Sequence, residues 1–88
     1  MNSDDREQLR LSLLRFLDAN ATGRFLGTGL LHQMAKAEGR GDLTGAEVEG
    51  ELRYLLDKGF VEMVAKQISP ENKTWRITAS GRDAFAQL

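Results

Sequence analysis

The chain has 88 residues, 41% of them hydrophobic and 28% charged, with no cysteine and a formal net charge of −1. That length suits one small domain burying about two-thirds of its unfolded surface, and the composition is globular rather than disordered. The lack of cysteine excludes a disulfide framework and thiolate chemistry, and no apolar run approaches the roughly 20 residues of a membrane span.

The start, Met1-Asn2-Ser3-Asp4-Asp5, is acidic and predicts no signal peptide, so a cytoplasmic protein without a membrane partner is expected. Charge is unevenly placed. Residues 20–41 carry net +2, residues 42–62 net −4, and residues 63–88 net +2. An acidic central stretch thus lies between two mildly basic ones.

The first helix is predicted over Asp5–Ala19, with Ser3 or Asp4 as its cap. Leu9, Leu13, Phe16 and Leu17 form its buried stripe. Leu11 falls on the opposite side, either exposed or set against a partner subunit. Asn20-Ala21-Thr22-Gly23 reads as a turn, and Arg24-Phe25-Leu26 as a short extended piece. A second helix starts at Thr28 and carries Leu30, Leu31, Met34, Ala35 and Ala37 before Gly39.

The third helix is the best marked. Thr44-Gly45-Ala46-Glu47 fits a capping box. Val48, Leu52, Leu55 and Leu56 recur at helical period, and Gly59 supplies a left-handed stop after Lys58. Phe60–Ile68 then turns β-branched and aromatic, the signature of a strand. Ser69-Pro70-Glu71-Asn72-Lys73 reads as the turn of a hairpin. Thr74–Thr78 is its second strand, with Trp75 and Ile77 on one face. Thr78 or Ser80 caps a short last helix in which Ala84, Phe85 and Leu88 are core candidates. A lone hairpin beside helices is expected to pack one face and wet the other.

Two stretches give this order a family likeness. Leu52-Arg53-Tyr54-Leu55-Leu56-Asp57-Lys58-Gly59-Phe60-Val61 resembles the junction between recognition helix and wing in winged helix-turn-helix domains. Trp75-Arg76-Ile77-Thr78-Ala79-Ser80-Gly81-Arg82 is similar to the end of the wing in bacterial regulators of the MarR and PadR type. The layout also resembles small winged-helix proteins of Mu-like phages and prophages. The resemblance spans nearly the whole chain. It implies an α+β winged helix-turn-helix: three helices, a β-hairpin wing and a short C-terminal helix.

What the resemblance implies for function is binding of double-stranded DNA, with the third helix in the major groove and the wing tip, Ser69–Lys73, at the adjacent minor groove or phosphates. The outward positions of the third helix are then read as Thr44, Gly45, Glu47, Glu49, Gly50, Glu51 and Tyr54. Thr44, Glu47, Glu51 and Tyr54 become the candidate base readers, and Arg40, Lys66, Lys73 and Arg76 the candidate phosphate contacts. Arg24, His32, Lys36 and Arg82 add to the basic flanks.

Three glutamates on a groove-facing helix repel phosphate, so a second reading stands beside the first. In it the acidic third helix docks a basic protein partner on the same scaffold. The two separate on one structural feature: whether Glu47, Glu49 and Glu51 are buried in pairs with Arg40 or Arg53 or stand free as one patch. Nothing points to an enzyme, a metal or a cofactor. His32 is the only histidine, too few N/S ligands for zinc, and Gly39-Arg40-Gly41 lacks the spacing of a dinucleotide loop. Leu11, Phe85 and Leu88 are the candidates for a homodimer contact.

Overall fold

The computed structural model describes residues 2–20, 25–66 and 69–88, and the side chains of these except 65–72. The element order is α1 (Ser3–Ala19), β1 (Leu26–Gly27), α2 (Thr28–Ala37), α3 (Gly45–Asp57), β2 (Val61–Lys66), β3 (Ser69–Ile77) and α4 (Ala79–Ala86). The turn expected at Asn20–Gly23 and the side chain of Arg24 fall largely outside the described residues.

Helix α1 begins two residues earlier than its apolar stripe suggested. Asn2, not Ser3 or Asp4, is the cap, and its Oδ1 accepts from the Asp5 amide at 2.8 Å. Asparagine is among the strongest N-caps, and Asp4 and Asp5 then fall in the first turn, where they complement the helix dipole. Leu9, Leu13 and Leu17 are buried as expected, joined by Leu14, while Phe16 is partly buried against the same core. Leu11 is half-buried.

At α3 both ends follow their sequence signals. Thr44 Oγ1 accepts from the Glu47 amide at 3.2 Å, and Glu47 Oε1 accepts from the Thr44 amide at 3.0 Å. At the other end Gly59 takes φ +78. Its amide bonds the Leu56 carbonyl, and that of Phe60 bonds the Leu55 carbonyl, the paired bonds of a Schellman stop. Only glycine adopts that backbone cheaply, and it sends the chain straight into β2.

The sheet is antiparallel, ordered β1-β3-β2. The expected extended piece is therefore a third strand: Leu26 lies opposite Trp75, and Gly27 opposite Thr74. Trp75 is thus flanked by Leu26 and Met63 on its two neighbours. It is fully buried with Val61 and Ile77, while Glu62 and Val64 face water, so one face packs and the other is wet.

The hairpin departs from expectation at its tip. Ser69–Lys73 is not the turn; β3 already starts at Ser69, which pairs with Lys66. The next pair is Ala65 with Lys73, so the register shifts between Ala65 and Lys66. Pro70 and Asn72 are turn formers in isolation, but a register irregularity also accommodates a strand proline. Lys73 consequently sits in the paired body of the wing.

Helix α4 is capped by Thr78, whose Oγ1 accepts from the Gly81 amide at 3.0 Å and donates to the Gly59 carbonyl at 2.7 Å. The Thr78 amide also bonds the Phe60 carbonyl. A Cβ on Gly81 would lie 2.0 Å from that carbonyl oxygen, so the position admits only glycine without backbone movement. These bonds tie the end of the wing to the start of it.

Candidate nucleic-acid interface

Helix α3 advances about 100° per residue, so its neighbours are set by spacing. Val48, Leu52 and Leu55 point into the core. The opposite stripe is Ala46, Gly50, Arg53 and Asp57, all exposed. One flank faces α1 and the other faces the sheet.

Each of the three glutamates is bonded, Glu49 and Glu51 by Lys73 and Arg10 rather than by the expected Arg40 or Arg53, and Glu47 by its own cap. Glu47 is held by its own capping box, and its carboxyl titrates below the ordinary range, first because the Thr44 amide and then because the Thr44 hydroxyl donates to it. Glu49 accepts from Lys73 Nζ at 2.6 Å, and that bond is the leading reason its carboxyl is also lowered. Glu51 accepts from Arg10 Nε at 2.6 Å, with Arg6 at 4.0 Å.

Glu51 corrects the sequence reading. It is 8% exposed and faces α1, not solvent. Its place explains this: it follows Val48 by three and precedes Leu52 by one, within the arc of the core stripe. Tyr54 lies on the same flank, 39% exposed, with the Arg10 guanidinium 3.7 Å from its ring centroid and Lys58 Nζ at 5.6 Å. Thr44 and Glu47 remain at the leading end of the helix, bonded to each other.

The candidate phosphate contacts are also engaged. Arg40, in the loop between α2 and α3, donates to Glu38 at 3.0 Å and to Ser12 at 3.3 Å. Arg15 pairs with the same Glu38. On the wing, Arg76 Nε donates to Glu62 at 3.0 Å, and its guanidinium lies 4.6 Å from the Phe25 ring centroid. The Lys66 side chain lies outside the described residues. Lys36 and Arg82 are exposed and enter no ion pair among the described residues. His32 is structural: its Nε2 donates to the Leu43 carbonyl at 2.6 Å, pinning α2 to the segment that leads into α3.

Arg53 was not among the outward positions read from the sequence, and the partners of Glu49 and Glu51 escaped it too, whereas that of Glu47 followed from the capping box. The signal for Arg53 was present, because Ala46, Gly50, Arg53 and Asp57 are spaced four, three and four apart, the complement of the buried stripe. The partners were not legible, since Arg10 lies 41 residues and Lys73 24 residues from their glutamates.

A helix pair whose second member runs into a β-hairpin packed on the same core defines a winged helix-turn-helix. The chain is similar in structure to the crystal structure of the transcriptional regulator BldR from Sulfolobus solfataricus. The TM-score is 0.67 at 18% identity, over 91% of this chain and 50% of that one. The present chain therefore spans about half the length of that regulator. No protein-family model matches the sequence, and no curated protein is similar to it in sequence. Among the described residues no helix is long and apolar enough to cross a membrane.

Proposed function

We propose that the chain is a small DNA-binding transcriptional regulator of bacterial or phage origin, of the MarR and PadR kind, acting in the cytoplasm. The observation that carries this reading is the pairing of Glu47, Glu49 and Glu51 within the fold. With Glu49 and Glu51 met by cations and Glu47 held by its own cap, the outer stripe of α3 is two small residues, Ala46 and Gly50, followed by Arg53 and Asp57. Small residues let a helix backbone come close to base edges, and arginine is the commonest side chain to bond guanine in the major groove.

In this reading Arg53 replaces Glu51 as a base reader, with Thr44, Glu47 and Tyr54 at its margins. Lys73, Arg76 and Lys66 on the wing, and Arg40 with Lys36 beside α2, supply phosphate contacts. The likeness to a transcriptional regulator fits it. A partner-docking role for α3 needs a free acidic patch, and the pairing of the glutamates works against it.

The test is fluorescence anisotropy with a labelled random-sequence duplex, titrated across salt. Binding that weakens steeply with salt is expected. Changing Lys73 and Arg76 to Ala together should weaken it and flatten its salt slope. No binding at low salt, together with capture of a protein through α3, would replace this reading with the docking one.

A further inference from the structure

On the sheet-facing flank of α3, beside the proposed DNA surface, an acid and a base hold each other. Lys73 Nζ donates to Glu49 Oε1 at 2.6 Å, with the lysine side chain 20% and the glutamate side chain 37% exposed. Lys73 is fixed at its backbone by separate means. Its carbonyl accepts from Thr28 Oγ1 at 3.3 Å, and that hydroxyl accepts from Trp75 Nε1 at 2.8 Å. Thr28 is the first residue of α2. Lys73 therefore sits where the start of α2, the flank of α3 and the wing converge, and only its side chain has freedom to change partner. Glu49 is one turn before Arg53, whose charge also favours the carboxylate.

Resting on the DNA-binding reading, we infer that Glu49 and Lys73 form an exchange pair that selects cytosine. In the major groove Glu49 passes from Lys73 to the N4 amino group of a cytosine, and Lys73 passes to a phosphate. A carboxylate only accepts hydrogen bonds. Guanine presents two acceptors, thymine an acceptor and a methyl group, and adenine an amino group beside the N7 acceptor; only cytosine offers a donor with no acceptor on the same base edge. On any other base Glu49 keeps Lys73, and the complex forms with one phosphate contact fewer. Glu49 thereby acts in the free protein as a stand-in for phosphate. The cost of displacing it is recovered only where a cytosine takes the carboxylate over.

The experiment compares the full chain with Glu49→Gln and with Glu49→Gln/Lys73→Ala. Binding is read by anisotropy on a random-sequence duplex pool across salt, and base preference by selection from that pool. Glutamine keeps the shape and loses the charge, and a thermal melt verifies that each variant is folded. Glu49→Gln is expected to bind the pool roughly threefold tighter or more, with a salt slope steeper by about 0.9, one extra phosphate. Its preferred base should move from cytosine to adenine at one position, since glutamine bonds adenine bidentately. Adding Lys73→Ala should remove the gain. Wild-type binding whose salt slope and selected base are untouched by Glu49→Gln would overturn the exchange and leave DNA binding standing. Failure of wild type and variant alike to bind any duplex at low salt would overturn both.

Discussion

Glu49 and Glu51 are two residues apart on one helix, and each meets its base at 2.6 Å. Glu51 is turned into the crevice between α3 and α1, where Arg10 bonds it and stacks on Tyr54. Glu49 is turned toward the sheet, where water still reaches it. A pair kept from water cannot be broken without leaving a stranded charge, so it constrains how α1 and α3 fit. A pair in water is worth little and exchanges readily. The two flanks also differ in what else holds them. The sheet flank does not depend on its ion pair, because Trp75 anchors the hairpin from beneath; on the α1 flank the ion pair is itself part of the packing.

Removing that apolar anchor is expected to have the largest effect. Trp75 is fully buried between Leu26 and Met63 and gives its Nε1 proton to Thr28. Trp75→Ala should cost about 3–5 kcal/mol. Native domains have only about 5–15 kcal/mol in all, so chemical denaturation followed by circular dichroism should show a strongly lowered midpoint. A loss below about 1 kcal/mol would mean that the sheet flank is held elsewhere.

Next in size is the α1 flank. Glu51→Ala strands Arg10, and breaking a buried pair costs about 3–5 kcal/mol when both charges are sealed in. The Arg10 side chain is 26% exposed, so it can turn to water, and about 2 kcal/mol is expected. Replacing both members, Arg10→Met with Glu51→Leu, should recover most of the loss, because apolar contact substitutes well for a buried pair. Denaturation midpoints of the two variants decide it. Equal losses would show that Glu51 contributes through its ion pair with Arg10 and not by filling the crevice.

The contrast between the flanks also marks how far the sequence can be read. The capping box at Thr44, the stop at Gly59, the strand after it and the Thr78 cap are local signals, and the structure carries each of them out. So are the buried leucines of α1, which follow from helical period alone. The strand β1 was legible only as an extended piece, because its partner Trp75 lies far along the chain. The wing tip was misplaced for the opposite reason: Pro70 and Asn72 carry strong turn propensities, and tertiary pairing of Ser69 with Lys66 overrode them. Counting outward positions by residue type put Glu51 on the surface, although its phase beside Val48 and Leu52 marks it as inward. For the site, the charges were visible and their pairing was not, since pairing depends on which elements fold together.

The smallest expected effect separates the two glutamates that remain in water. Glu47 and Glu49 both titrate below the ordinary glutamate range, the first through the Thr44 amide and the second through the Lys73 ammonium. A carboxyl whose folded value is the lower one binds fewer protons in the native state. Its contribution is therefore complete above the ordinary glutamate range, and it drains away as pH falls through that range toward the lowered values. Urea midpoints should be flat from neutrality down to the ordinary range and then decline. Glu49→Gln and Glu47→Gln should each make the acid limb shallower. Salt tells them apart: the Lys73 pair is a charge–charge contact open to screening, whereas the Thr44 bonds are local and involve one charge. Raising the ionic strength should shrink the share that Glu49→Gln removes and leave that of Glu47→Gln nearly intact. If salt reduced both equally, the Glu47 carboxylate would be acting through the field of the whole helix end, and the capping box would be the lesser part of its role.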